Sequence, residues 1–491
     1  MKRHALLLGV LVFSGCAVGP DYQRPSVDVP TAYKEAGEWK VAQPRDEASR
    51  GEWWEMFGDP TLNSLLEQVE ISNQNVLAAE AQYRRAQAIV SASRAGYFPT
   101  VTANASITRS RSPIGVVGGT TAGRTITNRT ASLDAGWELD VWGRVRRTAE
   151  SSEASAQASS ADLAGALLSS QAALASSYLL LRTIDAQKRI LDESVGAFQK
   201  SYDLTKNRYD AGVAARVDVV QAETQLKSTM ADAIDLGVQR AQLEHAIAVL
   251  VGKAPSAFSI APTPVDLARS PLAIKMPPIP AEVPSALLER RPDIASAERL
   301  VASANAQIGV AKAAYFPSLT LSGSYGSRAG DAATWFTAPS TFWAYGPALA
   351  MSVFDGGLRR AQTEQAIAAY DTTVAQYRQT VLSGFQEVED NLAALRILEE
   401  EAKVQEEAVR AARESVALTT NQYKAGIVSY INVVAVQTAW LNNERAAMVV
   451  LGRRLVAAVT LLKALGGDWS SAEIPEGEAL RARAEPAAAT R

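Results

Sequence analysis

Cysteine is nearly missing from this chain: Cys16 is the only one in 491 residues, which rules out an internal disulfide. Histidine is almost as scarce. His4 lies in the amino-terminal leader, His245 stands alone in a helical stretch, and no serine, cysteine or metal-ligand group has catalytic spacing. A glycine-lysine phosphate loop is lacking as well, so the chain has no nucleotide motor. Neither charge dominates. The formal net charge of −3 becomes −5 once Lys2 and Arg3 leave with the leader, which gives nucleic acid no basic face to bind. Past the leader no apolar run of membrane-helix length is evident, so any crossing of a bilayer falls to β-strands. Proline is absent from 146–209 and again from 359–423, which permits helices of unusual length there. These gaps point away from an enzyme, a cofactor protein or a nucleic-acid binder.

The amino terminus gives the lone cysteine a meaning. Lys2 and Arg3 precede an apolar run from Ala5 to Phe13, followed by Ser14, Gly15 and Cys16. That pattern is a secretory signal over 1–15, too short to span a bilayer. Small residues ahead of Cys16 suit cleavage there and acylation of its thiol and new amino group, so a covalent lipid on Cys16 is expected and no other cofactor. An ordinary exported protein with a chance cysteine is the plainer alternative. At about 0.8 kcal/mol per buried methylene, three acyl chains would anchor permanently. Ala17, where an aspartate would retain the protein elsewhere, sorts such a lipoprotein to the outer membrane.

Three landmarks recur in order. "SRAGYFPTVTANAS" (93–106) resembles "AKAAYFPSLTLSGS" (311–324), "GRVRR" (143–147) resembles "GGLRR" (356–360), and "RYDAGVAARVDVV" (208–220) resembles "QYKAGIVSYINVV" (422–434). The offsets of 218, 213 and 214 differ by a loop-sized change only. The chain therefore divides into the signal, a linker over 16–60, a first repeat over 61–254 and a proline-rich connection over 255–283. A second repeat over 284–467 follows, with a charged, alanine-rich tail over 468–491 that is expected to be mobile.

Inside each repeat the apolar period is first 2, then helical. Val101, Ala103, Ala105 and Ile107 alternate with polar residues in a strand expected near 100–112, and Leu133, Ala135, Trp137 and Leu139 do so near 130–141. Their counterparts are expected near 318–328 and 341–354. Each run has the nine to eleven residues that a tilted membrane strand needs. Periodicity alone fits a half-buried sheet on a soluble core equally well. The aromatics favour the membrane: Tyr97, Phe98, Tyr315 and Phe316 sit at the helix-to-strand corners, and Trp343 belongs to a cluster near the far loop, as interfacial belts would. The proline-free runs imply helices roughly 95 Å long at 1.5 Å per residue, which no single globular core can bury.

Four strands cannot close a barrel, and open edges do not survive in hydrocarbon, so the chain must oligomerise. Small residues on one face of the last strand, Ala344, Gly346, Ala348 and Ala350, favour an open bore and hence three chains with twelve strands. The fold class expected is mixed α and β, with an internal two-fold repeat. A homotrimer would share one transmembrane barrel continued by a long helical one.

"CAVGPDYQRPSVDVPTAY" (16–33), "WWEMFGDPTLNSLL" (53–66), the doubled "YFP" corners and the doubled tyrosine-x-alanine-glycine turns together resemble the TolC-like outer membrane factors. More narrowly they are similar to its lipoprotein branch, which serves resistance-nodulation-division efflux pumps. The resemblance implies a homotrimer in outer membrane lipid, reaching through the periplasm to an adaptor protein and, through it, to an inner-membrane transporter. It implies an exit duct rather than an enzyme; the outer channel of a type I protein-secretion system is the alternative. It places the periplasmic tips at Arg208, Tyr209, Asp210, Gly212 and Val213, and at Gln422, Tyr423, Lys424, Gly426 and Ile427. Gly212 and Gly426 suit the left-handed turn that ends a helix. At the narrow end Asp218 matches one of the family's carboxylates; its counterpart in the second repeat is Asn432, while Ala435 stands where relatives carry an acid and Val428 where the founding member has an arginine. Ile431 suits a dewetting constriction. The plainer alternatives are that Asp218 caps a helix and Ile431 packs between helices.

Overall fold

The computed structural model of the chain describes residues 17–36, 53–111, 125–262, 287–476 and 479. The expected signal, Cys16, residues 37–52, the loop 112–124, residues 263–286 of the connection and most of the tail lie outside the described residues.

Asp59 accepts hydrogen bonds from the amides of Thr61 and Leu62 and, with Pro60 behind it, starts α1 (Pro60–Ser72). Asn73 ends that helix and caps α2 (Gln74–Ala95) through the amides of Asn75 and Val76. Strands β1 (Thr100–Arg111) and β2 (Thr125–Leu139) come next, then α3 (Arg144–Asp210) and α4 (Arg216–Leu250). The second half repeats the series after a short α5 (Leu287–Arg290): α6 (Pro292–Ala313), β3 (Ser318–Ala329), β4 (Thr341–Ala350), α7 (Leu358–Lys424) and α8 (Tyr430–Ala464).

The long helices have 67 residues each, about 100 Å at 1.5 Å per residue. Beside them run two composite rods. The carboxy end of α4 meets the start of α2, where the Asn73 side-chain amide donates to Leu250 O at 2.8 Å and the Ser72 hydroxyl to Val251 O at 2.8 Å. In the second repeat α8 meets α6, and Arg291 donates to Ala464 O at 3.1 Å. Arg291 is buried and also binds Asp293 and Glu387. Burial pulls its guanidinium down, but the two carboxylates more than offset this and hold it above its ordinary value. Gly384, the single glycine between 359 and 423, leaves room for that side chain: a Cβ there would stand 3.3 Å from Arg291 Nε.

One sheet of order β1-β2-β3-β4, antiparallel throughout, stands at the end of the helices. Its register aligns Ala103, Leu133, Tyr325 and Trp343 across one face and Asn104, Ser132, Gly326 and Phe342 across the other. β2 begins at Thr125 rather than near 130, because it pairs with all of β1 up to Arg111, where polar residues need no greasy face. β4 ends at Ala350 rather than 354, since β3 begins at Ser318, opposite Ala350, and offers nothing further to pair with.

The main core lies at mid-length of the long helices, where Trp53, Leu66, Tyr178, Tyr377 and Leu455 pack together. That core corrects one reading of the sequence. α3 does contain an 18-residue window of mean hydropathy 1.3, enough by length and composition for a membrane helix. Its Leu174, Leu179 and Leu181 are instead fully buried within the protein.

The amino-terminal stretch is a strap laid over the helices. Val18 N donates to Trp142 O at 3.1 Å, Asp21 pairs with Arg147 at 2.9 Å, the Tyr22 hydroxyl donates to Glu298, and Arg24 donates to Leu288 O at 3.1 Å. Lower down, the amides of Lys34 and Glu35 donate to Glu389. The first part of the tail is also tied in, as Asp468 accepts from Trp53 N at 2.8 Å and Ser470 forms a capping box with Glu473.

Candidate duct, tips and membrane girdle

The sheet has one apolar and one polar face, set by strand alternation. Val101, Ile107, Leu133, Tyr325, Tyr345 and Leu349 all project from the first face and are exposed in the single chain. The opposite face carries Asn104, Ser132 and Asp134, with the Asp134 carboxylate accepting from Asn104 at 2.8 Å and Ser132 at 2.7 Å. Hydrogen-bond satisfaction of that kind belongs to a watered surface. β1 and β4 form the two edges, each with a strand partner on one side only. In hydrocarbon such edges demand further strands.

Tyr97, Phe98, Tyr315 and Phe316 form the corners where α2 and α6 give way to β1 and β3, and all four are exposed. Trp137 donates from its ring nitrogen to Tyr97 O at 3.0 Å. Trp142, which the sequence reading passed over, stacks on Phe316 at 4.7 Å and donates to Pro317 O at 2.7 Å. Its signal was an aromatic just beyond the end of the second alternating run. Trp343 stands on the apolar face, stacked on Tyr345 at 5.6 Å. The strap begins at this level: Ala17 lies 3.0 Å from where a Cβ on Gly143 would be.

At the far end each long helix closes with the same turn. Gly212 and Gly426 adopt φ of 77° and 78°, in the region that favours glycine. Val213 N reaches back to Arg208 O at 2.8 Å and Ile427 N to Gln422 O at 2.9 Å, the six-to-one bond of a Schellman cap. Tyr209, Asp210, Val213, Lys424 and Ile427 are exposed there, as is Gln422. Tyr423 departs from the exposed set expected of it. It is 6% exposed against 41% for Tyr209, because it packs edge-on to Tyr430 at 5.2 Å while the Arg208 guanidinium lies 4.8 Å above its ring. The first repeat has no such pair, since Arg216 occupies the position of Tyr430.

Asp218 lies half-buried in the first turn of α4, its amide bonded to Ala215 O at 3.1 Å. Ile431 and Asn432 are exposed on the first turn of α8. Burial, opposed by a hydrogen bond with Ser201 and assisted by Tyr423 and Asp218, pushes the Tyr430 phenol up to about 12. The buried Tyr423–Tyr430 pair lies within the second repeat, and the Arg208 guanidinium over the Tyr423 ring ties the tip of the first repeat to it.

Glycine has a second role that the landmarks missed. Gly252 and Gly466 end α4 and α8 at φ of 68° and 93°, and a Cβ on them would stand 2.2 Å from Ser72 O and 2.0 Å from Arg290 O. These are the joints of the composite rods, and only glycine lets the next helix come so close.

A sheet with one lipid-type face and two open edges, set on helices about 100 Å long, defines a protomer of a membrane duct that several chains complete. A family model for outer membrane efflux proteins matches residues 65–253 and 283–467, and the chain belongs to that family of channel proteins. Among curated proteins it is 30% identical over 490 residues to the probable efflux pump outer membrane protein TtgC of Pseudomonas putida, covering 97% of this chain and 100% of that one. It is 30% identical to the pyoverdine export outer membrane protein OpmQ of Pseudomonas aeruginosa over 475 residues, 96% of this chain and 98% of that one. The solved outer-membrane channel OprN superposes with a TM-score of 0.85 at 30% identity, covering 92% of this chain and 99% of that one. The chain is accordingly an outer-membrane channel that extends into the periplasm, and its fold is that of the trimeric ducts with a strand barrel and a helical barrel.

Proposed function

We propose that three copies of this chain form the exit duct of a tripartite efflux pump, carrying small molecules passively from a periplasmic adaptor and an inner-membrane resistance-nodulation-division transporter to the outside. The observation that carries this reading is the four-stranded sheet, apolar on one face only and open at both edges, fixed to the ends of the paired long helices. Three sheets make twelve strands and a water-filled bore, lined by the face that bears Asn104, Ser132 and Asp134. The duct performs no chemistry of its own, and the transporter supplies the energy.

The exposed tip residues Tyr209, Asp210, Gly212, Val213, Lys424 and Ile427 are the contact set for the adaptor. Asp218, Ile431 and Asn432 ring the narrow end, three of each in the trimer. Cys16 carries the lipid. What supports this is the strap, which holds residue 17 beside Gly143 and Trp142 at the level of the aromatic girdle, so that acyl chains one residue earlier enter the adjoining leaflet.

Reconstitution of the purified protein in planar bilayers tests the duct. Stepwise trimer-sized conductances are expected; verified insertion without conductance, in both the native protein and a Val213→Ala/Ile427→Ala variant, would overturn the reading. Mass spectrometry of the mature amino terminus tests the lipid, with a triacylated Cys16 expected and an unmodified thiol as the opposing result.

A further inference from the structure

The outer end of the sheet is basic, in a chain whose formal net charge is −3. From Thr100 to Leu133 the sequence carries four arginines and no acidic residue. Three of them lie on described strands. Arg109 and Arg111 share the face of Val101 and Ile107 on β1, and Arg129 of β2 stands directly opposite Ile107, so all three belong to the apolar face. Arg111 is about 7 Å along the strand from Arg109, and Arg129 is its diagonal neighbour at about 7–8 Å. Among the described residues no carboxylate forms an ion pair with any of the three. Arg129 donates to Gly330 O at 2.7 Å, a neutral acceptor that leaves its charge uncompensated.

Their height sets what they face. At about 3.4 Å per residue and a strand tilt of about 40°, they stand about 23–28 Å above the girdle corner at Thr100 and Leu139. An apolar band of about 25 Å ends there, so these side chains point outward at the depth of the outer-leaflet headgroups. The strands do not need them for pairing. In the second repeat Ser327 and Ala329 occupy the places of Arg109 and Arg111.

On the same face, one step toward the girdle, lies an open groove of about 470 Å³ lined by Ala103, Ala105, Ala131, Leu133, Tyr325 and Phe336. Phe336 comes from the β3–β4 loop, which folds onto this face. Its amide donates to Ser327 Oγ at 3.1 Å, its ring stacks on Trp335 at 4.7 Å, and its φ of 72° is one that a phenylalanine keeps only when its surroundings fix it. Alanines give the groove its depth, and two aromatic rings give it walls.

We propose that the outward face of the first hairpin binds a phosphorylated, multiply acylated lipid of the outer leaflet, with Arg109, Arg111 and Arg129 on its phosphates and an acyl chain in the groove. Three like charges this close repel one another, the more so beside hydrocarbon. Phosphate oxygens remove that repulsion, and each guanidinium can meet them with two parallel hydrogen bonds. Three forks spread over two strands suit a headgroup with two phosphates better than one with a single phosphate.

The inference rests on the trimeric duct reading, and its test separates the two. Native mass spectrometry of the purified trimer, titrated with hexa-acylated diphosphorylated lipid A, is expected to show up to three bound lipids. An Arg109→Gln/Arg111→Gln/Arg129→Gln variant should bind this lipid at least about tenfold more weakly. Removing both phosphates from the lipid should cost the native trimer a similar factor and the glutamine variant nothing further. Ala131→Trp fills the groove and leaves every charge in place; it should also weaken binding about tenfold, and it decides the matter if the glutamine variant does not trimerise. Unchanged affinity in either variant that trimerises, equally tight binding of phosphatidylglycerol, or displacement by an equal concentration of inorganic phosphate would overturn the inference alone. A native protein that is monomeric by native mass overturns the duct.

Discussion

Single glycines divide into two kinds in this chain, and the difference is measurable. Gly212 has φ of 77° and nothing within 4 Å of its missing Cβ, so Gly212→Ala costs only the left-handed conformation, about 1 kcal/mol. Gly252 adds a carbonyl oxygen 2.2 Å from that point, so Gly252→Ala must push α1 from the end of α4. Thermal melts followed by helical circular dichroism should show a small shift for the first and loss of assembled protein for the second. Tyr430 supplies a pH signature. Its phenol titrates near 12 in the folded chain against 10.0 in the open, so the stability it contributes is complete below pH 10 and is lost as pH rises toward 12. Hydrogen exchange at the tip should accelerate across that window, and Tyr430→Phe should remove the step while leaving the rings packed.

Among the elements, the strands and the long helices were legible because their signals are local. An alternation of period 2 followed by more than sixty residues without proline leaves little choice of element. The helix ends fall within two residues of the proline-free runs at 146–209 and 359–423. What was not legible was the pairing of short helices into rods. Asn73 and Arg291 occupy equivalent places in the two repeats and do the same work by different chemistry, a side-chain amide in one and a buried guanidinium in the other, so no shared residue marks the joint. The burial of Tyr423 was hidden for a related reason: it depends on Arg208, 215 residues away, and on a tyrosine that the first repeat replaces with arginine. The faces of the sheet give a prediction at this scale. Leu133→Arg on the apolar face should cost about 2–4 kcal/mol near mid-membrane and deplete heat-resistant trimers in the outer membrane. Ser132→Arg, one residue along and facing the bore, should leave insertion intact.

For the whole molecule the strap is the feature that most depends on assembly of distant parts. Tyr22 meets Glu298 on α6 and Arg24 meets Tyr377 on α7 at 3.3 Å, while Asp21 meets Arg147 on α3. Burial, reinforced by the bond to Glu298, raises the Tyr22 phenol well above its ordinary value, so the strap stays neutral at that point. A Tyr22→Phe/Arg24→Ala variant should make 17–36 sensitive to protease in intact trimers, with conductance unchanged; a protected strap in that variant would show that the remaining contacts suffice. The sequence by itself determined the repeat, the strands, the long helices and the need for partner chains, because periodicity, absence of proline and a count of four strands, too few to close a barrel, are properties of short stretches or of simple closure. Only the tertiary structure decided which tip residues are buried, which glycines are joints and how the two hairpins of one chain meet. Those outcomes turn on side chains hundreds of residues apart meeting at distances of a few ångströms, and a repeat that looks symmetric in sequence becomes unequal wherever the meeting partners differ.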